Sequence, residues 1–474
     1  MRQNRISNRF PSLNGVDATV MGLGTFGGGV EATRYLCQNG ANVRVTDTRT
    51  EEQLRDPLNE LEAEKFSVFL EGHPDEAFEG VELLIVNPAV RPDNSVVQRC
   101  RDRGVLISSE IELFLSANSA RVIAVTGTNG KSTTASLMAH LLQPAFSETH
   151  RRVWLGGNIG TSLLPRIDEI SEDDVVVLEL SSFQLEHLRE SGFAPDIAVI
   201  TNLHPNHIDW HGSYEAYKSA KQVLLQCQST SQIAILPGND EPLDDWRVRG
   251  RCLRFGDQDF SEPGVFIDDG SLILRDGPKE DAIRIQLPRQ LAGQHNRLNV
   301  TAAACAAWQL GADPNFFQEH LNSFSPLPHR LQQVGRGRGI VFYNDSNATT
   351  PESTIAALTA LPPPLVLIAG GADKGADLSE LAATIANVAV GVVLIGDTSS
   401  VLGRLLKEEL SPENELAIAI ADDFEDAFSR AVALAPERGI VLLSPGCASF
   451  GWFRDYRERG ERFEKMAKDW IQSL

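Results

Sequence analysis

The chain has 474 residues, 42% of them hydrophobic and 23% charged, with a formal net charge of −21. At roughly 150 residues per domain this length predicts about three domains, and the negative balance argues against nucleic acid or an anionic membrane surface as partner. The six cysteines (Cys37, Cys100, Cys227, Cys252, Cys305, Cys447) show no C-x-x-C pair, the pattern of reduced cytosolic thiols and not of a disulfide framework or a zinc site. The basic start, Met1 to Phe10, is followed by no apolar stretch of a signal peptide, and no apolar run approaches the roughly 18 residues of a membrane span.

Ala18–Met21 predicts a short strand, Gly22-Leu-Gly24-Thr25-Phe-Gly27 a tight turn, and Val30–Gln38 a helix that stops at Asn39-Gly40. Asn42–Thr46 is a second strand, ending in Asp47. This is a G-x-G-x-x-G spacing with a carboxylate about 20 positions later, in strand–turn–helix context. Read alone it says NAD. Its physical content is a backbone cradle for a diphosphate and a carboxylate for a ribose-like diol, which a UDP-sugar offers equally. Arg49, just after Thr48, can reach a phosphate. Glu82–Val86 and Val105–Ile107 are further strands, and the small polar residues of Ser116–Ala120 mark a boundary.

Val122–Thr126 reads as a buried strand. Gly127-Thr128-Asn129-Gly130 turns, and Lys131-Ser132-Thr133-Thr134 opens an apolar helix. Backbone N–H groups, the helix N-terminus and the Lys131 ammonium would concentrate positive charge in the loop. Ser132 or Thr133 offers a hydroxyl to Mg²⁺, so the site suits a triphosphate. Val125 stands where the generic phosphate-loop pattern has its first glycine. Gly156-Gly157-Asn158-Ile-Gly160 is a second glycine-rich loop. Asp174 to Glu186 contains a buried strand with Glu179 at its C-terminal end, where a carboxylate is costly unless paired or bound to metal and where ligands bind in open α/β sheets.

Asp196–Asn202 is the next strand and runs into Leu203-His204-Pro-Asn206-His207-Ile-Asp209-Trp-His211. Hard-ion chemistry beside a triphosphate favours Mg²⁺ over zinc here, with His207 and Asp209 as the candidates and His204 and His211 as bystanders. Ser213–Gln228 is helical, and on the residues alone Lys218 and Lys221 lie on its solvated face. After a β-rich stretch, Gln232–Leu287, a glycine turn leads into an alanine-rich helix in which Asn296 and Asn299 share a face, as caps or as ligand contacts. Leu327-Pro-His-Arg330 closes the region. A third α/β pattern follows, with strands at Ile340–Asn344, Leu365–Ala369, Gly391–Ile395 and Ile440–Leu443, each ending in glycine or polar residues.

These motifs together resemble the Mur ligases of bacterial peptidoglycan synthesis. The shared marks are Gly127 through Thr133, Gly157-Asn158-Ile-Gly160, Glu179-Leu-Ser-Ser-Phe-Gln184, His207-Ile-Asp209, Ser219-Ala-Lys221, Gly293-Gln-His-Asn296 with Asn299, and His329-Arg330. Asn344-Asp345-Ser with Ala348-Thr349, Gly370-Gly371 through Lys374-Gly375, and Leu443-Ser-Pro-Gly-Cys-Ala-Ser449-Phe450 with Phe453 resemble the branch that adds D-glutamate. The resemblance implies an α/β protein of three domains: a Rossmann-like UDP-substrate domain (1–118), a central phosphate-loop ATPase domain (119–328) and a Rossmann-like C-terminal domain for D-glutamate (329–474). It implies ATP-dependent amide formation through an acyl phosphate, with UDP-N-acetylmuramoyl-L-alanine and D-glutamate as substrates, in a cytoplasmic monomer.

By the same resemblance Gly127, Thr128, Asn129, Gly130, Lys131, Ser132, Thr133, Asn296, Asn299, Arg330 and Asp345 would hold ATP. Ser132 and Glu179 would bind one Mg²⁺. His207 and a carbamylated Lys221 would bind a second. Gly24, Thr25, Asp47, Thr48, Arg49 and Asn158 would contact the UDP substrate, and Thr349, Lys374, Ser449 and Phe450 would receive D-glutamate. Lys131, Glu179, His207, Lys221 and Lys374 would carry the catalysis. The chain departs from the family's pattern at four places. Asn347 stands for the usual Lys, Asn206 for Asp, Asn87-Pro-Ala for Ser-Pro-Gly, and Thr25-Phe-Gly-Gly-Gly29 for Thr-Gly-x-Ser. The alternative reading is a Mur-like protein with another amino-acid substrate or without turnover.

Overall fold

The computed structural model describes residues 10–473 except 11, 25–26, 148, 160–161, 239–242, 244–245, 289–290, 292, 326, 374–375 and 411–415. It is an α/β protein with three sheets. The first has strands β1 (Asp17–Met21), β2 (Asn42–Thr46), β3 (Phe66–Phe69), β4 (Leu83–Val86) and β5 (Leu106–Ser108), all parallel in the order β3-β2-β1-β4-β5. The order reverses at β1, so a crevice opens beyond its C-terminal end, where the Gly22–Gly24 turn lies.

The second sheet has nine strands: β6 (Arg121–Thr126), β7 (Val153–Gly157), β8 (Val175–Glu179), β9 (Ile197–Ile200), β10 (Ile233–Pro237), β11 (Arg251–Gly256), β12 (Gly264–Asp268), β13 (Ser271–Asp276) and β14 (Lys279–Arg284). Their order is β14-β13-β12-β11-β10-β9-β6-β8-β7, parallel from β7 to β12 and antiparallel through β13 and β14. β6 stands between β8 and β9, with Val125 opposite both Glu179 and Val199. The third sheet runs β15 (Gln332–Gly337), β16 (Ile340–Asn344), β20 (Ile440–Leu443), β17 (Leu365–Gly370), β18 (Gly391–Ile395), β19 (Ala417–Ile420), with only β15 antiparallel to its neighbour.

The chain packs as two compact units, residues 1–287 with 295–323, and residues 288–294 with 324–474. Within the first, one apolar core runs from Ala18, Val20 and Ile85 through Phe114 to Ala124, Leu178 and Ile200, so the first two sheets share their interior. Within the second, the two faces of the sheet bury alternate residues. Leu365, Leu367 and Leu394 enter one layer, and Val366, Ile368 and Val393 the other. Strands covered on both faces need apolar residues at every position, which explains the unbroken runs Leu83–Val86, Val175–Leu178 and Ile440–Leu443. Among the described residues no helix is long and apolar enough to cross a membrane.

Two expectations are corrected. Gly156 and Gly157 do not form a free loop: they are the last residues of β7, paired with Leu178 and Glu179. Lys221 is not on a solvated face. Helix Tyr214–Gln226 turns it inward, and it is 1% exposed.

Gly370 ends β17 at φ 109°, and a Cβ there would fall 2.2 Å from the Ile395 carbonyl oxygen. Gly370→Ala should therefore cost on the order of 1–3 kcal/mol through overpacking and strain. Urea denaturation reads this directly, and an unchanged midpoint would contradict the close approach.

Candidate active site

The phosphate-loop segment leaves the C-terminal end of β6, at the reversal of strand order. Gly127 has φ 150° and Gly130 φ 79°, and both approach neighbours too closely for a side chain. A Cβ on Gly127 would lie 1.9 Å from Thr201 Oγ1, and one on Gly130 would lie 2.3 Å from Asn299 Oδ1. The end of β9 clamps the loop. Thr201 Oγ1 donates to the Asn129 carbonyl at 2.6 Å, Asn202 Nδ2 donates to the same carbonyl at 3.1 Å, and Asn129 N donates to Asn202 Oδ1 at 2.9 Å. Thr128 Oγ1 lies 2.9 Å from the Tyr217 hydroxyl. The helix Lys131–Ser147 starts directly after the loop, which puts its positive end there. The Lys131 ammonium folds back to donate to the Thr128 carbonyl at 2.7 Å.

Lys221 lies beneath this loop. Its Nζ donates to the Gly127 carbonyl at 2.7 Å and stands 4.6 Å from the centre of the Tyr217 ring. Burial first, then the nearby Lys131 charge, drive its pKa well below the usual lysine value, against the pull of Glu179. Glu179 is 1% exposed at the end of β8. Its Oε1 accepts from Asn158 Nδ2 at 3.1 Å, but among the described residues its Oε2 has no hydrogen-bond partner, and neither has the buried Ser132 Oγ. Orphaned buried oxygens are rare because each costs its desolvation. Beside a phosphate loop, a hydroxyl and a carboxylate oxygen are the donors a hard divalent cation takes. Among the described residues no group of three or more His, Cys, Asp and Glu is placed to hold a metal by itself.

His207 has φ 52° and follows the loop after β9. Its outer face is open to solvent, yet the surrounding protein, then Lys131 and Lys221, lower its pKa to about 4. At neutral pH it presents an uncharged imidazole. His211 is lowered to about 4, chiefly by burial, against the nearby Glu186 carboxylate, and its Nε2 meets Ser182 Oγ at 2.9 Å. Asp209 is exposed. Asn299, 7% exposed, packs its Oδ1 against the loop, where Thr134 Oγ1 donates to it at 3.2 Å, and its Nδ2 donates to Asn296 Oδ1 at 3.2 Å. Thr133 is half-buried on the same helix.

In the first sheet, Gly24 N donates to Asp47 Oδ2 at 3.1 Å and Arg49 N to Asp47 Oδ1 at 3.0 Å. Asp47 is buried and ties the glycine turn to the end of β2, while Thr48 and Arg49 remain exposed. Asn87 fills the position beside the turn. Its Nδ2 donates to the Gly22 carbonyl at 3.2 Å, and a Cβ on Gly22 would meet Asn87 Cβ at 2.8 Å. Thr25 lies outside the described residues.

The remaining expected site residues belong to the second unit. Asp345, after β16, is buried. Ser444 Oγ donates to its Oδ2 at 2.7 Å and Leu331 N to its Oδ1 at 3.0 Å. Burial raises its pKa to about 7 against these hydrogen bonds and the charges of Arg330 and Arg459. Ser449 is buried, Thr349 exposed and Phe450 49% exposed, while Lys374 lies outside the described residues. The residue the motifs did not reveal is Arg459. It is 0% exposed and joins two loops by donating to Ser346 Oγ at 3.0 Å, the Ser346 carbonyl at 2.8 Å and the Cys447 carbonyl at 3.2 Å. Its helix, Tyr456–Gln472, is so rich in charge that one buried arginine leaves no pattern. Thr201 and Asn202 were also missed as clamps. Their signal was a polar pair directly after an apolar strand.

Comparison with known proteins agrees with this geometry. The family model described as "Mur ligase middle domain" matches residues 125–307, "Mur ligase, glutamate ligase domain" matches 329–447, and "Mur ligase MurD-like, N-terminal domain" matches 16–109. The UDP-N-acetylmuramoylalanine–D-glutamate ligase of Caldanaerobacter subterraneus is 34% identical over 454 residues, covering 95% of this chain and 97% of that protein. The enzyme of the same name from a Roseiflexus species is 36% identical over 471 residues, covering 96% and 99%. Among solved structures, the UDP-N-acetylmuramate–alanine ligase MurC of Thermotoga maritima superposes with a TM-score of 0.60 at 20% identity, covering 96% of this chain and 99% of that one. The MurF ligase of Thermotoga maritima, solved in complex with ADP, gives 0.57 at 18% identity, covering 99% and 100%.

The buried Asp345 makes stability depend on pH. Its folded pKa, about 7, lies above the unfolded value of about 3.9, so the native state binds the extra proton between those limits. Stability from this group is complete below about pH 4 and is lost as pH rises towards 7, by on the order of 4 kcal/mol. Urea unfolding at pH 4.5, 6 and 8 should show a steeper loss in the wild type than in Asp345→Asn. Equal slopes would remove the assignment. Glu110 is also raised to about 7 by burial, but it contributes to both proteins and cancels in the comparison.

Proposed function

The chain belongs to the Mur ligase family, and we infer from this that it joins D-glutamate to UDP-N-acetylmuramoyl-L-alanine in an ATP-driven amide ligation. The observation that carries the reading in the structure is the pair of partnerless buried oxygens, Ser132 Oγ and Glu179 Oε2, beside a glycine loop flanked by Lys131 and Lys221. The functional division we adopt is 1–118 for the UDP substrate, 119–328 for ATP and 329–474 for D-glutamate. The matched stretches 16–109, 125–307 and 329–447 support it.

A carboxylate is a poor electrophile. Transfer of the ATP γ-phosphoryl group to the alanine carboxylate makes a mixed anhydride and releases ADP. The D-glutamate amine then attacks the carbonyl carbon, the C–O bond to phosphate breaks, and inorganic phosphate leaves as the amide forms and the amine loses a proton. Crowded negative charge is the main obstacle, so preorganised positive groups are the main catalytic resource. The amides of Gly127–Thr133 and the Lys131 ammonium would receive the β- and γ-phosphates. Ser132 and Glu179 would hold Mg²⁺, which when bound draws charge from the phosphate oxygens. Asn158, bonded to Glu179, would orient that carboxylate and meet the muramoyl substrate.

The finer parts of the proposal are a second Mg²⁺ and a carbamylated Lys221. Two properties support them. The His207 imidazole is uncharged at neutral pH and so keeps a ring nitrogen free to coordinate. Burial pushes the Lys221 amine towards its neutral form, the only form that attacks CO₂. The carbamate that forms carries a negative charge suited to a metal. Asn296 and Asn299 would contact adenine, Arg330 a phosphate and Asp345 the ATP ribose. Gly24, Thr25, Asp47, Thr48 and Arg49 would take the UDP end. Thr349, Lys374, Ser449 and Phe450 would take D-glutamate. A cytoplasmic monomer completes the reading, since ATP and a UDP-linked substrate are both cytoplasmic compounds and one chain carries every assigned residue.

Phosphate release from Mg·ATP with UDP-N-acetylmuramoyl-L-alanine should occur with D-glutamate and not across a panel of other D- and L-amino acids. Release with a different amino acid would keep the mechanism and replace the substrate, and none from a folded protein would favour lost turnover. Lys221→Ala should lose at least about a hundredfold in kcat, as expected for removal of a metal-supporting group, with partial rescue by added acetate or formate. A fully active variant would remove the carbamate.

A further inference from the structure

The His207 segment is anchored at its start, where Leu203 is buried and the His204 backbone bonds Thr128, but its later part has little packing of its own. Residues 202–207 form no helix or strand, His207 has a left-handed backbone, and the single turn Ile208–His211 buries none of its residues. Beyond the Tyr217 ring, which stands 6.3 Å from His207 and 5.4 Å from His211, it is met on two sides. On one, the Phe183 ring stands 4.8 Å from His207, 4.7 Å from Trp210 and 5.7 Å from His211. On the other stands the loop after β4. Trp210 Nε1 donates to the Ala89 carbonyl at 3.1 Å, and Arg91 Nη1 donates to the Asp209 carbonyl at 3.2 Å. His187 Nε2 meets the Val90 carbonyl at 3.0 Å and fixes the same loop.

That loop also closes the glycine cradle of the first sheet. The Asn87 amide donates to the Gly22 carbonyl, and its Oδ1 accepts from Ala89 N at 3.0 Å. Gly22, Asn87, Ala89 and Trp210 thus form one chain of hydrogen bonds, ending on the ring that packs on Phe183, which in turn packs on His207. All of it lies in the first compact unit.

We propose that Trp210 is a positioning residue. Through its bond to Ala89 it sets the His207 segment according to the state of the Asn87 loop, so that a nucleoside diphosphate in the glycine cradle favours the metal–nucleotide site. The inference rests on reading the cradle as the UDP site and His207 as a metal ligand. Arg91 is a second, weaker tie because it is exposed.

The experiment is a titration of the full chain with Mn²⁺ and the non-hydrolysable ATP analogue AMP-PNP, with and without saturating UDP. UDP should tighten Mn·AMP-PNP binding by about fivefold or more in the wild type, and Mn·AMP-PNP should tighten UDP by the same factor. Trp210→Phe keeps an aromatic ring beside Phe183 but has no N–H donor, and both factors should fall below about twofold. Arg91→Ala, on an exposed loop, should lower them partway and carries the test if the first variant does not fold. A general loss of stability would not selectively abolish this ratio. Independent binding of both ligands to the wild type, or unchanged factors in the folded variants, would overturn the inference and leave the functional reading standing. Failure of UDP to bind the wild type would overturn both.

Discussion

A protein with a net charge of −21 must hold polyanions without general attraction to help it. The required positive potential has to be local and shielded from screening. The fold meets this at the reversal of strand order in its second sheet. The positive end of the Lys131–Ser147 helix and the Lys131 ammonium converge there on one short loop, with the Lys221 amine beneath it. Burial strengthens each interaction in that space and also decides protonation. Lys221 is pushed towards its neutral form and His207 is held uncharged, so two groups that look cationic in the sequence have their charge suppressed by burial.

The same loop depends on close packing as much as on charge. Gly127 and Gly130 admit no side chain because Thr201 and Asn299 occupy that space. Thr201, Asn202, Tyr217 and Lys221 all bond to the loop backbone or its side chains, and the loop is fixed before any ligand arrives. Such preorganisation removes reorganisation from the chemical step. The second unit uses a comparable device. Arg459 spends three donors on Ser346 and Cys447 and holds two loops from neighbouring strands in register.

What could be read from the sequence follows from burial. Interior strands, covered on both faces, announce themselves as continuous apolar runs, and β1, β2, β4, β6, β8, β9, β16, β17, β18 and β20 were all legible. The edge strand β5 was legible too, from Val105–Ile107, whereas β10 to β14 were read only as one β-rich stretch without separate strands, and β3, β7, β15 and β19, each at the edge of its sheet, escaped where the pattern is broken by exposed positions. Among site residues, Lys131 and Glu179 were legible because a charge beside a glycine turn or at the end of an apolar strand has few structural reasons to be there. Lys221 was not. A lysine on an amphipathic helix is usually solvated, and only the three-dimensional path of Tyr214–Gln226 turns this one under the loop. Arg459 was hidden for the same reason.

The partners of the phosphate loop come from late in the chain. Lys221 follows Gly127 by 94 residues, and Asn299 follows Thr134, which it bonds, by 165. A nascent chain on the ribosome therefore exposes the loop long before the wall for Gly130 or the amine beneath Gly127 has been made. Its first sheet is already complete in sequence by residue 108. Domains form as units during synthesis, and here the central unit reaches its packed state only after residue 299 has emerged. Competence to hold a nucleotide is acquired late in translation, although the motif that signals it is among the first third of the protein to be made.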